Sequence, residues 1–382
     1  MRHFLIFRTV VKCGVSLAAA AGAAFIVVPY SVALLAQWLY GWPGYPGPWK
    51  YVEALRPWRI YALTRAVLET VKYLKYGRLY CRWKLWYKNI DNHKYYEKGI
   101  VFGSRGERLD LYYSPKTDQS EAAGTRAVVF VYGGAWGSGE RATYCLLSLQ
   151  MARELSAAVI CPDYSTFPKG NVSHMVQDIT ECLLWLKENG QKWNIDTESV
   201  FLVGHSAGAH LCALTTLFLA EGSHVLGIQE ETQRQMFSSI RGVIGLSGVY
   251  DIVDHYEYER TRGVEFVSSM HKAMGGVENF HLYSPRRFLQ RLSRDKLERL
   301  PPFCLIHGTG DVVVPVESSV RFSEALAALS LKVSLYLLPD VQHADVVTDL
   351  MAPEGRCYHT VFGCMKQSCL ALAGSPSPAA AP

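Results

Sequence analysis

The chain lacks the cysteine patterns that mark a metal site or a disulfide scaffold. Its 382 residues include ten cysteines, but none stands in a CxxC pair or in a Cys/His cluster. A chain of this length can bury a large apolar core, so it does not depend on a disulfide framework to fold. We therefore expect most of the cysteines to be small buried side chains, and we predict neither a metal nor a cofactor.

Charge is also missing from one long stretch near the amino terminus. No charged residue occurs from Cys13 to Trp49, whereas about 20 apolar residues suffice to span a bilayer. Aromatic residues follow the run from Cys13 to Tyr40, which favours an uncleaved anchor over the alternative of a cleaved signal peptide. We expect 1–49 to be a membrane anchor with a Pro/Gly linker, and the protein to cross the membrane once.

The formal net charge of +5 is concentrated in one segment. Between Lys50 and Lys94, eleven Lys or Arg residues stand against three acidic residues. Residues 50–97 are predicted to be a basic amphipathic helical segment that either lies on a bilayer or packs on the catalytic domain. The charge suggests membrane lipid as a partner and no nucleic acid. We accordingly expect an endoplasmic reticulum or Golgi membrane, with the catalytic domain facing the cytosol.

One triplet argues for the opposite side of the membrane. Residues 171–173, Asn-Val-Ser, form a glycosylation sequon, which matters only in the lumen. Such triplets also occur by chance, and the alternative is that Ser173 caps the following helix.

From residue 98 onward, short apolar runs alternate with helical patterns. The runs that we predict to be strands are 107–115, 126–134, 157–164, 199–204, 240–248, 302–308 and 332–339. Apolar strands separated by helices indicate a mostly parallel sheet with helices on both faces. We therefore predict an α/β catalytic domain over 98–365, with a cap insertion at about 249–300 and a disordered tail over 366–382.

A G-x-S-x-G motif, Gly204-His205-Ser206-Ala207-Gly208, stands between a predicted strand and a predicted helix. In this context the motif forms a sharp turn that exposes its serine at the carboxyl edge of the sheet. The alternative is an ordinary tight turn whose serine caps the helix. We predict that Ser206 is a nucleophile.

A serine nucleophile needs a base, and the base needs a carboxylate that orients it. On this type of sheet the acid and then the histidine follow the serine along the chain. Asp311 and His343 follow the last two predicted strands, so we expect both at the same edge as Ser206. Asp340 and Asp345 are rivals for the acid, but they share a loop with the histidine.

Consecutive glycines after an early strand supply the second part of the predicted site. Gly133, Gly134 and Ala135 in the sequence YGGAW can turn backbone N–H groups toward a developing oxyanion. Ala207, which follows the nucleophile, supplies the opposite edge, and we place His205 in the same oxyanion and substrate-binding region. The alternative for the glycines is a simple loop closure.

The motifs YGGAW, DYSTFPKG, GHSAGAH and HGTGDVVVP, in this order, resemble those of the hormone-sensitive-lipase group of α/β-hydrolases. Within that group the chain most resembles isoprenylcysteine α-carbonyl methylesterases, which RLDLYYSP, YDIVDHYEYERTRG and YSPRRF support. The resemblance covers about residues 98–350 and implies that Ser206, Asp311 and His343 act as nucleophile, acid and base. Many relatives begin the glycine motif with His, where this chain has Tyr132.

The resemblance also implies a substrate, the methyl ester of a prenylated cysteine at a protein carboxyl terminus, hydrolysed through an acyl-enzyme on Ser206. The residues alone support a carboxylic ester or amide hydrolase. An acetyl-ester or arylacetamide deacetylase and an arylformamidase-type amidase remain alternatives on the same fold. A hydrolase-fold interaction protein without activity is the alternative of another class, and it predicts a broken triad. No oligomeric state is predicted.

Overall fold

The structure, a computed structural model, describes residues 14–16, 18–25, 27–28, 30–31, 48–49, 52, 56–59, 61–62, 65, 69, 72–113, 124–265 and 268–373. The chain divides into two compact units. One comprises Met1–Gly77 and Glu257–Ser269, and the other comprises Arg78–Tyr256 and Met270–Pro382. The second unit holds every predicted site residue, whereas part of the predicted cap insertion belongs to the first.

The second unit contains an eight-stranded sheet. Its strands are β1 (Tyr96–Val101), β2 (Arg108–Tyr112), β3 (Thr125–Val131), β4 (Ala158–Pro162), β5 (Ile195–His205), β6 (Ile240–Leu246), β7 (Phe303–Gly308) and β8 (Val333–Leu338). The spatial order is β1-β2-β4-β3-β5-β6-β7-β8. Strand β2 runs antiparallel to β1 and β4, and all other pairs are parallel. The predicted α/β fold with a mostly parallel sheet is confirmed.

Helices connect most of the parallel strands. From Gly77 onward, the α-helices of the described residues are α1 (Gly77–Lys88), α2 (Cys145–Glu154), α3 (Val172–Asn189), α4 (Ala207–Glu221), α5 (Glu230–Ser239), α6 (Ile252–Thr261), α7 (Met270–Ala273), α8 (Pro285–Phe288), α9 (Arg294–Glu298), α10 (Glu317–Ala328), α11 (Asp345–Thr348) and α12 (Tyr358–Ala373). Asn171 caps α3, since its side chain accepts the backbone N–H of His174. The sequon triplet therefore does cap a helix, but the capping residue is Asn171, and Ser173, the cap expected from the sequence, lies inside α3.

Burial along the strands shows that helices cover both faces of the sheet. Every residue of β7 is buried, as are Ala127–Val131 in β3. Since successive side chains of a strand point to opposite faces, a fully buried strand needs cover on both sides. The two edge strands, β1 and β8, expose part of their residues instead. The predicted sequence runs matched the apolar, buried parts of the inner strands.

The predicted single-pass membrane topology is wrong. Among the residues that the structure describes, no helix is long and apolar enough to cross a membrane. Much of the predicted span, including Cys13 and 32–40, lies outside the described residues.

Two predicted boundaries also differ from the structure. Helix α12 continues to Ala373, so residues 366–373 are helical where we expected a disordered tail, and the rest of that tail lies outside the described residues. The basic segment 50–97 ends in α1 and in the first residues of β1. Within α1, Trp83 is buried in the core, so this helix packs on the catalytic domain.

Candidate active site

Ser206 stands on a strained turn between β5 and α4. Its φ and ψ are 55° and −121°, which a residue with a side chain adopts only where the surrounding structure holds it. The Ser206 backbone N–H donates to the carbonyl of Leu246 at 2.9 Å, which ties the turn to the end of β6. A Cβ atom at Gly208 would lie 2.0 Å from the Val131 carbonyl oxygen. Only glycine therefore lets α4 start this close to β3.

Asp311 and His343 meet at the same edge of the sheet. Asp311 lies in the loop after β7 and His343 in the loop after β8, and their Oδ2 and Nδ1 atoms are 2.7 Å apart. The rival Asp345 has its Oδ2 on the backbone N–H of Gln342 instead. Of the carboxylates considered from the sequence, the structure brings Asp311 to the histidine.

The surroundings of Asp311 favour the ionised form of its carboxylate. Its Oδ1 accepts the backbone N–H groups of Val313 at 2.8 Å and Val314 at 2.9 Å. Burial acts to raise the pKa of Asp311, but the neighbouring His343 and His307 hold it below its ordinary value of 3.8. An ionised Asp311 keeps a proton on His343 Nδ1 and leaves Nε2 as the basic nitrogen.

His205 joins the serine to the histidine loop. Its Nε2 lies 3.1 Å from the His343 backbone oxygen, and the two rings are 4.8 Å apart. Because a carbonyl only accepts, His205 Nε2 carries the proton in this contact. Burial, and then the nearby His343, lower the pKa of His205 to about 3, so the ring is neutral at neutral pH. The structure thus places His205 against His343.

The glycine loop after β3 lies directly beside the nucleophile. A Cβ atom at Gly133 would lie 2.8 Å from the Ser206 Cβ. Gly134 and Ala135 follow, with φ angles of 140° and 50°. Ala207 is fully buried at the start of α4.

Arg141, Asp110 and Asp163 form a charged network beside this loop, which was not predicted from the sequence. Arg141 forms ion pairs with Asp110, which is fully buried on β2, and with Asp163 after β4. The Tyr132 hydroxyl donates to the same Asp163 carboxylate at 3.0 Å. Tyr132, which replaces the His of many relatives, is therefore anchored below the loop. An aspartate inside the apolar run RLDLY was the signal that could have revealed the network.

The family follows from a match that covers more than half of the chain. The BD-FAE family model matches residues 109–326, from β2 through most of α10. The chain belongs to the BD-FAE family. The BD-FAE match contains Ser206 and Asp311 and ends before His343. It confirms the resemblance to the hormone-sensitive-lipase group of α/β-hydrolases that the motifs indicated.

Curated relatives of this BD-FAE protein carry esterase names. A probable isoprenylcysteine alpha-carbonyl methylesterase of Arabidopsis thaliana is 35% identical over 253 residues, which are 65% of this chain and 57% of the relative. Esterase LipC of Mycobacterium tuberculosis is 32% identical over 56% of this chain and 52% of LipC. The chain thus spans about half the length of the curated relatives it matches.

A solved structure shares the fold. Esterase B from Lactobacillus Rhamnosis is 21% identical, with a TM-score of 0.59, over 81% of this chain and 96% of that chain. This likeness shows the α/β-hydrolase fold alone. The sequence relatives carry esterase names, which agree with the predicted class of enzyme, an ester hydrolase.

Proposed function

We propose that this protein hydrolyses a carboxylic ester through an acyl-enzyme, with Ser206 as nucleophile, His343 as base and Asp311 as the orienting acid. The contact of 2.7 Å between His343 Nδ1 and Asp311 Oδ2, at the edge where the strained serine turn stands, carries the proposal. Serine, aspartate and histidine on the loops that follow β5, β7 and β8 are the groups that nucleophilic ester hydrolysis needs.

The first half of the reaction forms the acyl-enzyme. His343 Nε2 accepts the Ser206 hydroxyl proton while Oγ attacks the ester carbonyl carbon. The ionised Asp311 stabilises the resulting imidazolium through Nδ1–H. The tetrahedral intermediate then expels the alcohol, which takes its proton from His343 Nε2. A water molecule repeats the sequence on the acyl-enzyme, so that the products are the alcohol and a carboxylic acid.

Backbone N–H groups stabilise the oxyanion of both intermediates in this proposal. Ala207 at the start of α4 provides one edge, and the loop after β3 provides the other. We assign the donors of that loop to its run of small residues, Gly133, Gly134 and Ala135. Gly133 also contributes by its lack of a side chain, which lets the loop approach Ser206. One preorganised donor of this type is worth about 3 kcal/mol in the transition state.

The substrate that we propose is the methyl ester of a prenylated cysteine. Its support is the similarity to isoprenylcysteine alpha-carbonyl methylesterases over two thirds of the chain. A general carboxylesterase is the second candidate, because Esterase LipC is nearly as similar in identity over a shorter region. The two candidates differ in the length of the apolar group that they need to bind.

A fluorophosphonate probe tests the catalytic assignment, since it labels an activated serine. We expect the wild type to label, Ser206→Ala to be silent, and both His343→Ala and Asp311→Asn to label at least about 100-fold more slowly. Circular dichroism and the melting temperature serve as the folding control. A folded wild type that does not label, or a Ser206→Ala variant that still does, would refute the assignment.

Substrate profiling then decides between the two candidates. Release of methanol from N-acetyl-S-farnesylcysteine methyl ester is compared with hydrolysis of p-nitrophenyl acetate and butyrate by the same preparation. A kcat/KM at least about tenfold higher for the prenylated methyl ester supports the methylesterase proposal. Equal or lower values would favour the general carboxylesterase.

A further inference from the structure

Behind the glycine loop, Trp136 and His210 form a buried polar contact. The Trp136 indole N–H donates to His210 Nδ1 at 3.1 Å, and the two rings meet edge to face at 5.3 Å. Trp136 is 1% exposed and His210 is completely buried. A buried indole N–H usually keeps a hydrogen-bond partner, because leaving it without one costs about 1–3 kcal/mol.

The second nitrogen of His210 fixes the tautomer that this contact requires. His210 Nε2 lies 2.7 Å from the backbone oxygen of Tyr283, which can only accept a hydrogen bond. The proton therefore sits on Nε2, and Nδ1 presents its lone pair to the indole. Burial lowers the pKa of His210 to about 4, so the ring keeps this neutral form at neutral pH. One tautomer satisfies both contacts.

The contact holds a segment of backbone that is strained. Ala135 and Trp136 have consecutive positive φ angles of 50° and 59°. Each such residue costs about 1–3 kcal/mol and persists only where its surroundings enforce it. The Trp136 carbonyl accepts the Phe167 N–H at 2.8 Å, and its indole is held by His210. The two bonds restrain the backbone and the side chain of the same residue.

His210 is connected to Ser206 through the first turn of α4. It lies one helical turn after Ser206, and its backbone N–H donates to the Ser206 carbonyl at 3.1 Å. The edge of the site formed by Ser206 and Ala207 is thus joined, through the His210 ring, to the edge formed by Gly134 and Ala135.

We propose that His210 is a positioning residue, which sets the spacing between the two edges of the oxyanion hole by holding Trp136. The inference rests on the proposed function, since it concerns the donors of that same site. A shift of the loop would weaken N–H contacts to the oxyanion, which strengthen in the transition state. We therefore expect a change in kcat with little change in KM.

A pair of substitutions separates the two bonds of His210. His210→Asn places an acceptor near the position of Nδ1, so it keeps the bond from Trp136 and loses the bond to Tyr283. His210→Gln reaches the position of Nε2, so it keeps the Tyr283 bond and loses the Trp136 bond. Trp136→Phe removes the indole donor and leaves His210 with Tyr283. Trp193→Phe, before the amino end of β5 and away from the site, is the matched control.

We expect His210→Asn and Trp193→Phe to keep kcat within about threefold of the wild type. His210→Gln and Trp136→Phe should each lower kcat by about 10- to 100-fold, the scale of a displaced oxyanion donor, with KM changed less than about threefold. His210→Gln and Trp136→Phe remove the same hydrogen bond. The double variant should therefore lose no more kcat than either single variant. The readouts are steady-state hydrolysis of a p-nitrophenyl ester and the fluorophosphonate labelling rate.

Three results would overturn the inference: a His210→Gln enzyme with wild-type kcat, a His210→Asn enzyme as slow as His210→Gln, or losses that multiply in the double variant. If His210→Gln does not fold, Trp136→Phe decides by its own kcat. A wild type that neither labels nor hydrolyses esters refutes the proposed function and the inference with it. If the wild type labels and hydrolyses esters, and His210→Gln has the same kcat as the wild type, the inference alone is refuted.

Discussion

The backbone of Gly133 passes so close to the nucleophile that no side chain fits there. An added Cβ would lie 2.8 Å from Ser206 Cβ and 2.9 Å from the His205 carbonyl oxygen, and both belong to the rigid serine turn. We predict that Gly133→Ala lowers kcat at least about tenfold, because the loop that supplies the oxyanion donors must move away from Ser206. Steady-state kinetics of ester hydrolysis measure the effect.

Gly363 offers a matched control for that substitution. It lies on α12, and nothing stands within 4 Å of the position that its Cβ would occupy. Gly363→Ala should leave kcat unchanged and stabilise the protein slightly, since alanine favours a helix over glycine by about 1 kcal/mol. A Gly133→Ala enzyme with wild-type kcat and melting temperature would contradict the steric account.

At the scale of single residues, the sequence reveals groups whose neighbours along the chain are diagnostic. Ser206 is found because glycines flank it between a strand and a helix, and Asp311 and His343 because they follow late strands in the required order. The contact of Trp136 with His210 has no such mark. The two residues are 74 positions apart, and only the packing of the loop on α4 brings them together.

At the scale of secondary-structure elements, Arg141 joins three of them. It follows the glycine loop and pairs with Asp110 on β2 and with Asp163 after β4, while Asp110 also accepts the Tyr87 hydroxyl from α1 at 2.8 Å. We predict that Arg141→Met lowers the free energy of unfolding by about 3–5 kcal/mol, since it leaves the fully buried Asp110 without its cation. Urea unfolding followed by circular dichroism measures the change.

Arg234 on α5 provides the comparison. Its side chain is 56% exposed and pairs only with Glu230 and Glu231 of its own helix. Arg234→Met should therefore change the free energy of unfolding by less than about 1 kcal/mol. If Arg141→Met were no more harmful than Arg234→Met, the buried ion pair would contribute little to stability.

At the scale of the whole molecule, the apolar inner strands made the parallel sheet predictable. Strand β7 and the carboxyl-terminal parts of β3, β5 and β6 are continuous apolar runs, because helices cover both of their faces. Strand β1 was missed, since its residues are mostly exposed or half-buried and carry no apolar run. The membership of Glu257–Ser269 in the other unit depends on long-range contacts, which no local pattern encodes.

Two buried neutral histidines should make the stability of the molecule depend on pH. Burial lowers the pKa of His205 to about 3 and that of His210 to about 4, from an ordinary value of 6.5. Below pH 6.5 these histidines bind protons in the unfolded chain but not in the folded protein. Their contribution to the free energy of unfolding is therefore fully present above pH 6.5 and is lost as the pH falls toward 4. Asp311 has a lowered pKa, and its contribution is lost only below its ordinary value of 3.8.

We predict that the contribution of these two histidines to the free energy of unfolding is lost between pH 6.5 and 4.5. In His205→Gln, one of the two protons is no longer involved, so the slope should be smaller by up to about 1.4 kcal/mol per pH unit. Urea unfolding at pH 7.5, 6.5, 5.5 and 4.5 measures both slopes, with pH 7.5 as the reference. Parallel slopes for the two proteins would mean that His205 takes up its proton as readily in the folded state as in the unfolded chain.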